Sequence, residues 1–288
     1  MKSFVSKSSL TQIMRHSRPT LVISDWDETI TEEDTIKYVA QVPYIKQRQQ
    51  RVLPPFEKFV ESYNQNYTNL KNSFNFPNTT TTSIECSDYL SQQIKFQDEL
   101  STVENQSIEL IEQSKIFEGL TKKDFQDYVN INHNKIKLRP GFSQFVKRCQ
   151  NLNIPIIIVS ANWTSIFIKQ CLANHGLAVD DIITNELSFH SDDEEAKTKM
   201  TTTGLWDKSK YTIRTSQDKL DIVKQIQEEK DGLIMYIGDS GTDLLPLLNV
   251  DFPCAIKGSR IVEIFDKSGL RDNLNVGTWH DFINIIKE

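Results

Sequence analysis

Four of the aspartates lie in two pairs, and each pair comes directly after a short apolar run. Asp25 and Asp27 follow the first run, and Asp239 and Asp243 follow another one far along the chain. Carboxylates that are held close together repel one another, which raises their pKa values. A hard divalent cation relieves this repulsion, and Mg²⁺ prefers one or two carboxylates together with waters and phosphate oxygens. The two pairs therefore predict an Mg²⁺ site, provided that the fold brings them together.

A hydroxyl group and an ammonium group complete the candidate site. Ser160 comes at the end of the apolar residues 154–159, and Lys219 lies just inside a predicted helix. A lysine and a hydroxyl are suited to bind phosphate oxygens, and helix N-termini add backbone N–H donors. A carboxylate that attacks phosphorus forms an aspartyl phosphate, which divides hydrolysis into two easier steps. These residue types together indicate phosphoryl transfer.

The second half of the chain has the pattern of an α/β protein. From residue 138 onward, apolar strands at residues 154–159, 182–183 and 233–237 alternate with helical patterns. This alternation predicts a Rossmann-like core, in which a mostly parallel sheet has helices on both faces. Ligands of such sheets bind beyond the carboxyl ends of the strands, where the candidate residues fall. We predict a polar, hairpin-like excursion at residues 189–213.

The segment between the first strand and this alternation has a different character. Residues 35–137 contain amphipathic helical patterns and no strand–helix alternation, which predicts an inserted helical cap. An Asn/Thr-rich stretch at residues 64–82 is typical of a mobile loop. We therefore assign residues 20–34 and 138–288 to the catalytic core and residues 1–19 to an N-terminal extension.

The order and spacing of these residues resemble the haloacid dehalogenase-like (HAD) phosphatases. The four motifs of that family are DxDxT, a strand-final serine or threonine, a lysine, and an acidic GDxxxD-type motif. The chain carries all four in order over about residues 20–251. The insertion matches the family's C1 cap in position and size only. The phosphoserine-phosphatase-like branch has similar spacing around residues 203–219, and fungal and plant thiamin-monophosphate-phosphatase-like domains are similar around residues 160–163.

The resemblance implies a role for each aspartate of the two pairs. Asp25 is expected to be the nucleophile and a ligand of Mg²⁺. Asp27 is expected to be the general acid and base, with its backbone carbonyl as a further metal ligand. Asp239 is expected to bind Mg²⁺ directly, and Asp243 either directly or through a water.

The resemblance also implies a substrate-binding group. Ser160, Ala161 and Lys219 are expected to hold the phosphate. Thr29 is placed in the same group and is expected to orient Asp27. Trp163 could either stack on an aromatic substrate or pack inside the protein, and the sequence leaves both alternatives open.

The function that the resemblance implies is an Mg²⁺-dependent phosphomonoesterase. Its substrate is expected to be a small phosphorylated metabolite, because caps close over small molecules. An aromatic or vitamin-type phosphate such as thiamin monophosphate is one candidate. Two alternatives remain: a phosphotransferase or phosphomutase on the same scaffold, and a HAD-like binding protein that has lost catalysis.

Composition bears on partners and location. The net charge of −6 and the pI near 5.5 give no support to binding of nucleic acid or anionic membranes. The longest apolar run is far shorter than the ~20 residues of a membrane-spanning helix.

Four widely spaced cysteines predict free thiols, which favours the cytoplasm. The first 24 residues are basic and weakly resemble a mitochondrial presequence, although we favour a plain polar extension. The oligomeric state is not predicted.

Overall fold

The computed structural model describes residues 18–46, 52–77, 80–190 and 200–286. Its strands are β1 (Leu21–Ser24), β2 (Glu118–Thr121), β3 (Ile156–Ser160), β4 (Asp181–Thr184), β5 (Leu187–Phe189), β6 (Thr201–Trp206), β7 (Ile234–Gly238), β8 (Phe252–Ile256) and β9 (Asn275–Gly277). Its α-helices are α1 (Ile36–Val39), α2 (Val42–Lys46), α3 (Glu57–Ser73), α4 (Ser83–Ser114), α5 (Lys122–Asn132), α6 (Phe142–Asn151), α7 (Ser165–Asn174), α8 (Ser216–Glu229), α9 (Leu244–Leu247), α10 (Arg260–Lys267) and α11 (Trp279–Ile283). Among these helices, none is both long and apolar enough to cross a bilayer.

A six-stranded parallel sheet forms the centre of the protein, in the order β4-β3-β1-β7-β8-β9. Every residue of β1, β3 and β7 is buried. Alternate residues of β3 pack into two different apolar clusters, with Ile156 and Ile158 in one and Ile157 and Val159 in the other. Both faces of the sheet are therefore covered, as in other parallel sheets. The predicted Rossmann-like α/β core is confirmed.

The parallel pairing brings the carboxyl ends of β1, β3 and β7 to one edge of the sheet. In register, Ser24 lies opposite Ile158 of β3 and Ile237 of β7. The hydrogen bonding continues one residue further, where the Asp25 N–H donates to the Ile237 carbonyl at 2.9 Å. Residues that follow these three strands in sequence are therefore neighbours in space.

Helices α1 to α5 occupy the predicted insertion, but one part of it differs from the prediction. Residues 64–73 belong to α3 and are not a loop. Although this stretch is rich in Asn and Thr, Tyr63, Tyr67 and Leu70 form an apolar face on the helix. This face packs against Phe96 of α4. The spacing of four and three residues is that of a helix. Residues 78 and 79 of the predicted loop lie outside the described residues.

The insertion also contains a strand that the sequence analysis missed. Strand β2 pairs with β6, which pairs with β5, so that a three-stranded antiparallel sheet forms beside the main one. The β5–β6 hairpin confirms the predicted excursion, of which residues 191–199 lie outside the described residues. The insertion is thus not purely helical. Its two ends meet where Thr31 bridges to Leu138, and the division into a core and a cap stays a prediction.

The cysteines agree with the sequence analysis. All four are free thiols, and Cys149, Cys171 and Cys254 are buried. The predicted N-terminal extension lies almost entirely outside the described residues.

The C-terminal helix α11 supports the loop that follows β1. The Trp279 ring packs against Phe142 and Phe145 of α6, with ring centroids 4.8 and 4.9 Å apart. Its indole N–H donates to the Thr29 carbonyl at 2.9 Å. Since both groups are buried, water cannot reach the Thr29 carbonyl. The indole N–H supplies its hydrogen bond instead.

We expect Trp279→Phe to lower the free energy of unfolding by about 1–3 kcal/mol, because it leaves the buried Thr29 carbonyl unpaired. Trp279→Ala adds a cavity and should cost about 3–5 kcal/mol. Urea denaturation measures both, with the exposed Ile131→Ala as the control. A loss below ~1 kcal/mol for Trp279→Ala would contradict this role.

Candidate active site

Asp25 is the first residue after β1, and its carboxylate is buried. One oxygen, Oδ1, accepts the Trp26 backbone N–H at 2.7 Å. The other, Oδ2, lies 2.9 Å from the Lys219 ammonium. Burial raises the pKa of Asp25 to about 6, even though the charge of Lys219 lowers it. Both oxygens are therefore held in place at the edge of the sheet.

Lys219 lies in the first turn of α8, and its side chain is only 1% exposed. The helix begins with a capping box, in which Thr215 and Asp218 exchange hydrogen bonds. The Lys219 ammonium lies 2.8 Å from Asp243 Oδ1 and 2.9 Å from Asp25 Oδ2. Burial alone would lower the pKa of this lysine, but the two carboxylates raise it above its ordinary value. Lys219 is thus a buried positive charge that bridges the two predicted aspartate pairs.

Asp243 organises the acidic loop after β7, which comprises residues 239–243. Its Oδ1 accepts from Lys219 and from the Tyr236 hydroxyl, both at 2.8 Å. Its Oδ2 accepts the backbone N–H groups of Asp239 and Ser240 at 3.0 Å. Gly238 leaves room for this carboxylate, since a Cβ there would lie 2.4 Å from the Asp243 Cγ. Although burial raises the pKa of Asp243, Lys219 and these donors hold it below its ordinary value.

Asp239 faces Asp25 and Asp243 across the same edge. Burial, followed by the charges of Asp243 and Asp25, raises the pKa of Asp239 to about 8. The Thr29 hydroxyl donates to Asp239 Oδ1 at 2.7 Å. The prediction that Thr29 orients Asp27 is therefore wrong. Glu28 has a left-handed φ of 56°, which turns the chain so that the Thr29 side chain points to the acidic loop.

The carboxylates of Asp25, Asp239 and Asp243 form a group that fits a metal ion. They offer oxygens that all lie within 4.8 Å of one another, and all three residues are buried. Three carboxylates and one ammonium leave a formal charge of −2, which a divalent cation neutralises. Oxygen donors of this kind suit a hard cation such as Mg²⁺.

Asp27 lies two residues beyond Asp25, but its carboxylate has other partners. Oδ1 accepts the backbone N–H and the hydroxyl of Thr35, both at 2.6 Å, and Oδ2 accepts Asn162 Nδ2 at 3.0 Å. Burial and the charge of Asp34 raise the pKa of Asp27 to about 7, although these bonds lower it. Neither Thr35 nor Asn162 was predicted. Asn162 could have been found, because it follows the same strand end as Ser160.

Ser160 and Ala161 lie where the sequence predicts, at the end of β3. The buried Ser160 hydroxyl oxygen accepts the Asn162 backbone N–H at 3.1 Å, and the Ala161 carbonyl accepts Asn185 Nδ2 at 3.0 Å. These bonds leave the Ser160 hydroxyl proton available to a further acceptor.

Trp163 is packed inside the protein. Its ring meets those of Phe117 and Trp206 edge to face at 5.7 Å, and that of Phe56 at 6.4 Å. Of the two alternatives that the sequence left open, the structure shows packing. The tryptophan joins the insertion to the core, since Phe56 and Phe117 belong to the insertion.

Helix α4 of the insertion reaches the acidic loop. The Gln97 side chain is buried against Gly241, where a Cβ would lie 2.3 Å from Gln97 Nε2. Within the part of the chain that the structure describes, Gln97 Oε1 has no hydrogen-bond partner. Gln93 and Gln97 interrupt the apolar face of α4 at a spacing of four residues, which is the signal that could have marked this contact.

Comparisons with known proteins place the chain among related sequences. It is 28% identical to Cold tolerance protein 1 of Saccharomyces cerevisiae over 249 residues, which cover 80% of this chain and 76% of the yeast protein. It is 24% identical to Bifunctional TH2 protein, mitochondrial, of Arabidopsis thaliana over 270 residues, which cover 86% of this chain and 41% of the plant protein.

Solved structures show the same fold. A substrate-bound phosphoserine phosphatase aligns with a TM-score of 0.51 and 14% sequence identity, over 94% of this chain and 100% of that one. A sequence model described as haloacid dehalogenase-like hydrolase matches residues 19–251, from just before β1 to the residue before β8. Since this match spans most of the chain, the protein belongs to the haloacid dehalogenase-like hydrolases.

Proposed function

We propose that the protein is an Mg²⁺-dependent phosphomonoesterase that hydrolyses a small phosphorylated metabolite through an aspartyl phosphate on Asp25. The observation that carries this proposal is the buried contact of Asp25 with Lys219, beside Asp239 and Asp243. A dianionic phosphate cannot approach a carboxylate unless positive charge offsets the repulsion. The membership of a hydrolase family supports the same reaction class.

The chemistry takes two steps. In the first, an Asp25 carboxylate oxygen attacks phosphorus, and the bond from phosphorus to the leaving oxygen breaks. Asp27 gives its proton to that oxygen. In the second step, Asp27 takes a proton from a water, whose oxygen attacks phosphorus and releases inorganic phosphate and the free Asp25 carboxylate. An Asp27 pKa near 7 suits both directions of transfer.

Lys219 and Ser160 are the residues proposed to hold the phosphate oxygens. Lys219 contributes a permanent positive charge next to the attacking carboxylate. The Ser160 oxygen is the acceptor in its bond with the Asn162 N–H group, so that bond does not use the hydroxyl proton. The proton can therefore be donated to a phosphate oxygen. Ala161 follows Ser160 and is proposed to line the same site.

Asp25 and Asp239 are proposed to hold Mg²⁺ directly, with the Asp27 backbone carbonyl as a further ligand. Bound Mg²⁺ supplies positive charge that stabilises the phosphoryl group as it transfers. Asp243 already accepts hydrogen bonds from five groups. We therefore favour contact between Asp243 and the ion through a water.

The covering of the site favours a small substrate, because α4 rests on the acidic loop through Gln97. Thiamin monophosphate stays a candidate through the similarity at residues 160–163. Trp163 is packed among other rings and does not supply a stacking surface for the substrate. The structure therefore gives no support to the preference for an aromatic phosphate. A panel of sugar, amino-acid, nucleotide and vitamin phosphates should identify the substrate class.

Asp25→Asn should lower turnover by several orders of magnitude while the fold persists, because the amide cannot replace the nucleophile. Phosphate release with Mg²⁺ and with a chelator measures the effect. Asp88→Asn, at an exposed position, is the matched control. Retention of more than about a tenth of the activity would overturn the assignment of Asp25.

Mg²⁺ should stabilise the fold more at about pH 8 than at about pH 5.5. The pKa values of Asp25 and Asp239, about 6 and about 8, lie above the ordinary 3.8, so the metal-free fold holds protons that the unfolded chain releases. The contribution of these two groups to the free energy of unfolding of the metal-free protein therefore falls as pH rises from about 4 to about 8. Mg²⁺ binds the ionised carboxylates and offsets this loss.

Thermal unfolding with Mg²⁺ or a chelator tests this pH dependence. Asp239→Asn should stabilise the metal-free protein at about pH 8 and remove most of the shift in Tm caused by Mg²⁺. A shift that is the same at both pH values, or that survives in Asp239→Asn, would count against the metal site.

Lys219→Met keeps the length of the side chain but leaves Asp25 and Asp243 without their counter-charge. We expect a loss of about 3–5 kcal/mol in the free energy of unfolding. The affinity for vanadate, a phosphate analogue, should fall at least about tenfold, an energy of ~1.4 kcal/mol. Titration calorimetry measures this affinity, with the exposed Lys224→Met of the same helix as control. Unchanged vanadate affinity would refute the role of Lys219.

A further inference from the structure

The hydrogen bonds around Asp27 distinguish its two oxygens. Oδ1 accepts two donors from Thr35, and Oδ2 accepts one from Asn162. A carboxylate oxygen has two lone-pair positions. Within the part of the chain that the structure describes, both positions on Oδ1 are thus filled, and one on Oδ2 is open.

The Thr35 hydroxyl has only one way to point its proton. Its oxygen accepts the Trp26 indole N–H at 3.0 Å and Asn162 Nδ2 at 3.1 Å. Neither of these donors can accept a hydrogen bond. The single hydroxyl proton must therefore go to Asp27 Oδ1, which lies 2.6 Å away.

The orientation of the Asn162 amide is also determined. Its Oδ1 accepts the Trp163 backbone N–H at 2.8 Å, which identifies the other terminal atom as nitrogen. The two hydrogens of that nitrogen then go to Asp27 Oδ2 and Thr35 Oγ1. Asn162 is 0% exposed, so water does not compete for these bonds.

We propose that Asn162 and Thr35 are positioning residues, which fix the Asp27 carboxyl so that its Oδ2 atom carries the proton to the leaving oxygen and takes it back from water. This inference rests on the proposed phosphomonoesterase function. Oδ1 is excluded as the proton carrier because donors fill it, and the remaining position on Oδ2 is the one that can hold a proton. Asn162 and Thr35 thus act through Asp27 and need not touch the substrate.

The test compares two esters with different leaving groups. An alkyl phosphate needs a proton on its leaving oxygen, whereas 4-nitrophenyl phosphate releases a stable phenolate and needs it far less. The measured quantity is the rate of alcohol or phenol release in a single turnover, which reports the first step alone. Asp27→Asn removes the acid itself, so its loss of rate on each ester is the upper limit against which the other variants are compared.

Asn162→Ala should slow alcohol release from the alkyl ester roughly 10- to 100-fold, which is less than the ~10²- to 10⁴-fold of a lost general acid because Asp27 itself remains. The same variant should slow 4-nitrophenol release at least about fivefold less, with KM nearly unchanged for both esters. Asn130→Ala, an exposed asparagine of α5, is the matched control and should change neither rate.

A second pair of variants keeps the test decisive if Asn162→Ala does not fold. Thr35→Val keeps the shape of the side chain and removes the hydroxyl, so it should show the same selective loss. Thr35→Ser keeps the hydroxyl and should restore most of the rate on the alkyl ester. Equal losses on both esters, or a change in KM alone, would overturn the proposal. If the wild-type protein hydrolyses neither ester nor any metabolite of the panel, the proposed function itself fails.

Discussion

The buried ammonium of Lys219 is the interaction on which the rest of the site depends. It lies between Asp25 and Asp243, and all three side chains are almost completely removed from solvent. A buried charge is tolerated only when it is paired and hydrogen-bonded. The capping box of α8, the glycine at the end of β7 and the Tyr236 hydroxyl each serve to hold this arrangement. One ion-pair network thus joins the first of the sequence motifs, which contains Asp25, to the last, which contains Asp243.

The parallel sheet explains why residues so far apart in the chain can share this network. The carboxyl ends of the neighbouring strands β3, β1 and β7 meet at one edge of the sheet. Ser160 ends β3, while Asp25 and Asp239 directly follow β1 and β7. Burial, followed by the charges of neighbouring carboxylates, raises the pKa values of Asp25 and Asp239 there. The repulsion among these carboxylates favours cation binding, which is the physical link between the fold and the proposed chemistry.

The sequence could predict the parts of the site that local patterns mark. Apolar runs that end in aspartate or serine identified β1, β3 and β7 and the residues at their ends. Strand β2 was not predictable from its own residues, because its contacts lie far along the chain: the Leu120 N–H donates to the Thr202 hydroxyl, 82 residues away. The partner of Thr29 depends on the left-handed Glu28, which no residue pattern showed. The role of Thr35 depends equally on tertiary contacts.

The proposed chemistry requires that Asp25 carries the phosphoryl group. Asp27→Asn with 4-nitrophenyl phosphate tests this most directly, because this ester needs little acid catalysis to form the intermediate, while the hydrolysis of the intermediate needs a base. Acid quenching followed by peptide mass spectrometry locates the trapped phosphate. We expect phosphate on the peptide that contains Asp25. Phosphate on another residue, or wild-type turnover of this ester without a phosphorylated Asp25 in the variant, would contradict it.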